Sequence, residues 1–409
     1  MSYRELPRTQ LAELAREYLL CGHLIDRAGM PYVIADFGRE AMRDVAIDEW
    51  MAASPVYTRR MRKALGFDGD DVATIFKGMQ FDIGAPHQFM DFRFVVHDRD
   101  HGEFSLASCG ALMDVEPLGP EFVVTMCHHI EDPTFDATAA ATNPRARMRP
   151  VHRPPRVPAD RLPHCLWNVT IEPDAEPLQE PEGAKWLATS RAARLELDTP
   201  EANPDPGGDT DYAAPMDPDL QLRRFSQPTL VRILDELALQ GHLLARSYMR
   251  AVEQRWGTET ALKLGTHQMT GIAGLSAKRL ARALGSNDLT RMLDLLPMLH
   301  PRAYVDLRVW GEDETTIALA PCPALEEGDE LTWPALLARG ENGPIEAAAR
   351  AIDPTATVAR IDAPPGARVA WLVRGNPNAE TFAEANEVRV ASFSTGTNFA
   401  FEERGTSET

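Results

Sequence analysis

One register governs most of this chain. The run Cys21-Gly-His-Leu-Ile-Asp-Arg27 returns as Gln240-Gly-His-Leu-Leu-Ala-Arg246, an offset of 219 (240 against 21). Without a gap, that offset also pairs Leu11 with Leu230, Glu17 with Glu236, Met30 with Met249, Gly38 with Gly257 and Arg60 with Arg279. It closes on Ala64-Leu65-Gly66 against Ala283-Leu284-Gly285. After a short gap the repeat resumes at an offset of 213 (305 against 92), laying Phe92 to Cys109 on Val305 to Cys322. Asp132-Pro133 then answers Asp353-Pro354, the HRPPR of His152 to Arg156 answers the DAPPG of Asp362 to Gly366, and Trp167 answers Trp371. Such a chain must build one unit twice, at about residues 3–172 and 222–376.

Within each copy the periodicities name the elements. Residues 8–28 and 30–65 place apolar side chains at three and four spacing, the signature of helices, and RKALG and RALG end them on a basic turn and a glycine. Phe92, Phe94 and Val96 alternate with polar neighbours, turn at Asp98 to Gly102 and return through Phe104 and Leu106 as a hairpin. A helix ending at the Asp-Pro step follows, then a strand into the prolines and a strand holding the tryptophan. The expected fold class is α+β, internally duplicated, each copy a helical layer on a small antiparallel sheet. This divides the chain into a first repeat (1–172), an acidic Pro-rich linker (173–221) with a short helix near Lys185 to Leu197, a second repeat (222–376) and a C-terminal tail (377–409) with a strand at Val388 to Phe393.

Charge and cysteine usage bound the function. The formal net charge of −19 argues against nucleic acid and against an anionic membrane surface, both of which need clustered Lys and Arg. No apolar run reaches the roughly 18 residues of a membrane span, and the N-terminus lacks the basic start and apolar core of a signal peptide. Five widely spaced cysteines without a CxxC pair point to free thiols in a cytoplasmic setting. There is no GxGxxG and no GxxxxGK[ST], so no nucleotide cofactor is indicated. A chain that carries its own pseudo-dimer has less need of a partner subunit, and either a monomer or a homodimer is expected.

Potential chemistry gathers in the first copy. Seven of the eleven histidines lie between His87 and His164, and Cys109, Cys127 and Cys165 fall in or beside the same stretch, whereas the second copy keeps only Cys322. Cys109 ends its strand on the face of Ser105 and Ala107, either as a small inert core residue or as a thiol beside a ligand. Cys127, His128, His129, Glu131 and Asp132 crowd a helix end, where His128 and Asp132 stand one turn apart; a histidine held by a carboxylate suits a metal or a general base, and a solvated helix end is the alternative. His152 precedes the prolines at a strand end, a rim position. His97 and His101 flank the hairpin turn and read as solvated, while His23 and His242 sit in apolar helix pattern and read as hydrogen-bonded core histidines. Cys109, a residue of Cys127 to Asp132, and His152 are thus expected to meet at one end of the first sheet, either as a mixed Cys/His/carboxylate site for zinc or iron or as a thiolate nucleophile with a histidine base.

The order ELA, FG-x-EA, RRMRKALG, hairpin ending in Cys, Asp-Pro, x-x-PP and C-x-W resembles the bacterial L-2-amino-thiazoline-4-carboxylic acid hydrolase-like family, in both copies. In that family's pattern the thiol positions fall on Cys109 and Cys322, on His152 and Asp362, and on Cys165 and Val369. The resemblance implies a ligand or metal set of Cys109, His152 and Cys165, with Cys127 nearby. The Cys/His enrichment of the first copy points to a small-molecule hydrolase or lyase acting on an organic acid or thioester, with catalytic candidates Cys109, His128, His129, Asp132 and His152, and the resemblance implies a setting in the catabolism of steroids or aromatics. The alternative is a non-catalytic small-molecule binder or accessory protein whose cavity is walled by Trp, Met and Phe.

Overall fold

The computed structural model of the chain describes residues 3–198, 207–312, 314–376, 378 and 380–402. The first copy opens with two long helices, α1 (Arg8–Phe37) and α2 (Arg39–Leu65), broken at Gly38 and ended at Gly66. Both glycines have positive φ (89° and 63°), a conformation that costs a residue with a Cβ; the stop at Gly66 is the expected one, whereas the first break falls at Gly38 and not at residue 29, which lies inside α1. A short α3 (Val72–Met79) leads to β1 (Met90–Val96) and β2 (His101–Cys109). The chain then winds through α4 (Gly110–Val115), α5 (Pro120–Val124), a π-helical turn (Thr125–Ile130) and α6 (Glu131–Ala140), and returns as β3 (Ala146–His152) and β4 (Cys165–Ile171). The antiparallel sheet is ordered β1-β2-β4-β3. This is the expected α+β unit with one further correction: no helix stops at Asp132-Pro133. The helix runs on, because Pro133 stands in the first turn of α6, where a missing N–H is tolerated, and the ladder ahead of it is already rewired into the π turn.

Two helices follow the first sheet, α7 (Glu182–Leu187) and α8 (Arg191–Arg194). The second copy repeats the plan. It contains α9 (Gln227–Trp256) and α10 (Thr258–Leu284) around Gly257, then α11 (Leu289–Asp294), β5 (Leu307–Trp310), β6 (Thr315–Leu319), α12 (Trp333–Ala338), α13 (Gly343–Ile352), β7 (Thr357–Ile361) and β8 (Val369–Arg374), with sheet order β5-β6-β8-β7. Here the helix does end at Asp353-Pro354, as expected. The chain closes with α14 (Asn386–Ala391), a helix where a strand was expected.

The long helices of the two copies pack on each other, α1 on α10 and α2 on α9, and one hydrophobic core runs through both. The two polar positions matched by the repeat pair crosswise. Arg60 donates to Glu236 at 2.9 and 2.8 Å, and Arg279 donates to Glu17 at 2.6 and 3.0 Å. This is the isologous geometry of a two-fold dimer, here inside one chain.

The same arginines show that the presumed linker and tail belong to the units. Arg60 Nη1 donates to the carbonyls of Ala193 and Leu195, and Arg279 Nη1 donates to those of Gly396, Thr397 and Phe399. Ser190 caps the first arm by accepting from Ala193 N, and Ser394 caps the second by accepting from Gly396 N. Residues 182–197 and 386–401 are therefore one further repeated element, an arm trailing each sheet. Later in the connection Tyr212 is fully buried, its carbonyl accepting from Lys77 Nζ and its hydroxyl donating to Gln80. The Pro-rich stretch 199–206 and the tail 403–409 lie outside the described residues.

Candidate functional site

The thiols come together, and they face inward. A register shift between Met90 and Phe92 marks a β-bulge that turns Cys109 from the Ser105 and Ala107 face onto the buried face of Phe104 and Leu106. Its Sγ accepts from Leu112 N at 3.3 Å as the cap of α4, and its N–H donates to His164 Nδ1 at 3.1 Å. Cys127, in the π turn, and Cys165, heading β4, are also buried. Burial and the nearby Glu131 carboxyl push the Cys109 thiol up to about 12, and the same two causes push Cys127 and Cys165 upward. At neutral pH all three are thiols, the unreactive form.

The other expected residues stay near the same end of the sheet but bond to separate partners. His128 Nε2 donates to the Pro154 carbonyl at 2.7 Å, and Asp132 pairs with Arg153, so the two do not form the expected histidine–carboxylate couple. Arg153 also donates to the Cys127 carbonyl and lies over the Trp167 ring. His129 lines a shallow surface depression with Arg39, Arg43 and Glu121. His152 ends β3 opposite Leu166, with its pKa lowered by burial and by Arg161. Among the described residues no group of three or more His, Cys, Asp or Glu side chains is arranged to hold a metal ion. The expected zinc or iron set of Cys109, Cys127, His152 and Cys165 does not fit, since soft-metal sites need thiolates and imidazoles converging on one centre and these thiols point into apolar core.

A cavity of about 160 Å³ lies instead between α1, α2, β1 and the α4–α6 helices. None of Cys109, Cys127, His128, His129, Asp132, His152 or Cys165 lines it, although their neighbours Ala111, Met126, Ile130 and Glu131 do. Its walls are mostly apolar, with Trp50, Phe92, Phe122, Phe135 and several methionines, and Phe393 of the second arm reaches into it. The size is that of a cavity that takes a single aromatic ring. A second hollow, of about 180 Å³, lies beyond Met90 and Phe92, but there Gln88 is held by the backbone of Glu402 and Arg16 by the Phe401 ring.

Six polar side chains give the first cavity its chemistry. Asp26 pairs with Arg27 through one oxygen, leaving Oδ1 without a partner, and Arg27 Nε donates to Asp114 at 3.3 Å. Tyr57 donates to Asp82 at 2.6 Å, and burial lifts Asp82 to about 6 against that bond and one from Gly84 N. Burial lifts Glu131 to about 8, with Arg153 opposing. His23 is buried, rests edge-on to Phe89, and neither of its ring nitrogens has a hydrogen-bond partner; burial first and Arg27 second hold it neutral.

His23 was expected to be a hydrogen-bonded core histidine. Its repeat partner is one: His242 Nε2 donates to the His300 carbonyl at 2.9 Å, with the Tyr304 and Trp333 rings packed at 5.1 and 5.9 Å. The sequence did hold a signal for the cavity. At the offset of 219, Asp26 becomes Ala245, Trp50 becomes Met269 and Tyr57 becomes Ser276, so the wall is specific to the first copy. No family model, curated protein or solved structure matches the chain.

Proposed function

We propose that the first copy binds a small, largely apolar molecule in this cavity and that His23 hydrogen-bonds it. The observation that carries the reading is the contrast between His23 and His242. Leaving a buried donor or acceptor unpaired costs about 1–3 kcal/mol, and native folds rarely accept it without a use. The second copy satisfies its histidine from its own backbone; the first leaves the ring open to a cavity. Fragment screening by ligand-observed NMR tests this. Ligands are expected that bind the native protein, lose binding in His23→Phe and keep it in His242→Leu; equal binding to all three rejects the reading.

Turnover by acid–base chemistry is a second reading, favoured by Glu131. A carboxyl with a pKa of about 8 in a cavity wall exchanges protons at neutral pH, which suits a general acid or base in a hydrolysis or lyase step. This keeps the hydrolase or lyase chemistry implied by the family resemblance while assigning it to a carboxyl rather than to a thiolate or a metal. Glu131→Gln is then expected to abolish the ligand's conversion while the cavity still takes a neutral probe. The protein is taken to be cytoplasmic, as a monomer or a homodimer. Support comes from its five free thiols, and no helix among the described residues is long and apolar enough to cross a membrane.

A further inference from the structure

We infer that the cavity's ligand is an organic ammonium, an apolar body carrying one protonated amine, rather than a carboxylate. The inference rests on the cavity reading above and follows from an inventory of hydrogen-bonding groups on the polar wall. The open positions on the wall include a buried carboxylate oxygen and no unpaired cation. Asp26 Oδ1 is free and Asp26 is more than nine-tenths buried. His23, equally buried, is neutral and so offers one bare ring nitrogen beside one N–H. Glu131 lines the cavity with no hydrogen-bond partner among the described residues.

The cationic and phenolic donors, by contrast, are used. Arg27 is the only cationic side chain in the wall, and its guanidinium is divided among Asp26, Asp114 and the sulfur of Met126. The Tyr57 hydroxyl is given to Asp82. A carboxylate entering this cavity would meet Asp26, Asp82 and Glu131 with no unpaired cation, and burying a charge without a partner is strongly unfavourable. An ammonium reverses every term. It brings three donors to the open acceptors, and it lets Glu131 give up its proton to solvent and form a charge-assisted pair. The rest of the wall suits the same guest, since the faces of Trp50, Phe122 and Phe135 attract a cation and the methionines adapt to an irregular apolar body. The second copy lacks this acceptor set, with Ala245 in place of Asp26 and the His242 ring already bonded.

Three probes of matched size decide the question by calorimetry on the full chain at pH 7: 2-phenylethylamine, 2-phenylethanol and phenylacetate. The amine is expected to bind at least about tenfold tighter than the alcohol, the margin of one charge-assisted hydrogen bond, and phenylacetate weakest of all. Glu131→Gln is expected to narrow the amine-to-alcohol ratio, and continued binding of the alcohol shows that the variant's cavity is intact. Phenylacetate binding as tightly as the amine, or an amine-to-alcohol ratio unaltered in Glu131→Gln, overturns the ammonium assignment while the bound alcohol upholds the cavity. If none of the three binds the native chain, the cavity reading falls and the ammonium assignment with it.

Discussion

Asp114, in the first copy, accepts the backbone N–H of Thr395 at 2.7 Å, from the arm that trails the second copy. The Ser394 and Thr395 hydroxyls bond the same carboxylate, and Arg27 approaches its other side. The reciprocal contact exists: Glu327, in the second copy, accepts the N–H groups of Arg191 and Ala192 from the first copy's arm and lies 3.7 Å from Arg246. Each arm thus crosses to dock on a carboxylate of the opposite copy. One consequence is local to function. The residue that reaches the first cavity from this arm, Phe393, is built from the far end of the chain, so the cavity is complete only when both copies are folded together.

The first prediction follows from how many groups Asp114 serves. Its side chain is fully buried, and Asp114→Ala would strand Arg27 with one carboxylate and leave the arm's N–H and hydroxyl groups unpaired. The expected loss is about 3–5 kcal/mol, the range for breaking a buried ion pair. Asp114→Asn keeps one acceptor oxygen, enough for the Thr395 N–H and hydroxyl, while its NH2 replaces the oxygen used by Ser394 and Arg27, so it should cost less than Asp114→Ala. Urea unfolding of both variants checks the order; equal costs would mean that the arm bonds contribute nothing.

Arg60 and Arg279 make equivalent pairs but differ in exposure, 12% against 2% for the side chains. Water can partly replace the partners of Arg60 and cannot reach those of Arg279, which also holds three carbonyls of the arm. Arg279→Ala is therefore expected to destabilise by about 3–5 kcal/mol and Arg60→Ala by about half that. Denaturant midpoints at fixed m-value measure both.

These pairs also mark how far the sequence could be read. Glu17, Glu236, Arg60 and Arg279 were visible as matched positions, because a repeat preserves residue type, but nothing in one dimension says that the matches meet across a two-fold. The helices, their glycine stops, the hairpins and the Pro-Pro steps were legible because each rests on local chemistry. Three features were not. The bulge that turns Cys109 inward depends on pairing with β1, the arms escape a search that stops at the last strand because only Ser190 and Ser394 survive as matched caps, and the cavity depends on which side of a helix is left without a neighbour. The concentration of Cys and His in the first copy drew attention to the right copy and to side chains adjacent to the cavity wall, and Glu131 was the one member of that cluster to face it.

Glu131 makes stability depend on pH in a defined direction. Its folded pKa of about 8 exceeds the value of about 4.3 for an exposed glutamate, so between these values the folded state holds a proton that the unfolded state has released. Stability then falls as pH rises across that window, with the penalty complete above about pH 8. Asp82, lifted to about 6, adds to the lower part of it. Glu131→Gln should flatten the slope between pH 6.5 and 8.5 and be more stable than the native chain at the upper end. Denaturation midpoints at four pH values across the window provide the measurement, and parallel curves for the two proteins would contradict the assignment.

All five cysteines are free and buried, and burial holds Cys109 and Cys21 at about 12. The native protein is therefore expected to show no fast-reacting thiol toward Ellman's reagent at pH 8, and five on unfolding. Zinc added to the native protein should not change either result. A single thiol titrating within seconds would restore the nucleophile reading for the cysteine that carries it.

His23 and His242 offer the sharpest internal control, because the two residues share a position in the repeat and differ in surroundings. Replacing His242 by leucine removes a hydrogen bond and leaves the His300 carbonyl buried without its donor, which should cost about 1–3 kcal/mol. Replacing His23 by leucine removes a buried ring with no partner at either nitrogen. No bond is broken and an unpaired polar group leaves the interior, so stability should hold or rise by about 1 kcal/mol. Opposite signs for one substitution at equivalent positions would show that the first copy keeps its histidine at the expense of stability, as a binding residue does. Equal losses would mean that His23 is fully satisfied in solution and that the cavity has no polar anchor. Thermal and urea unfolding of the two single variants, each against the native chain, separates these outcomes.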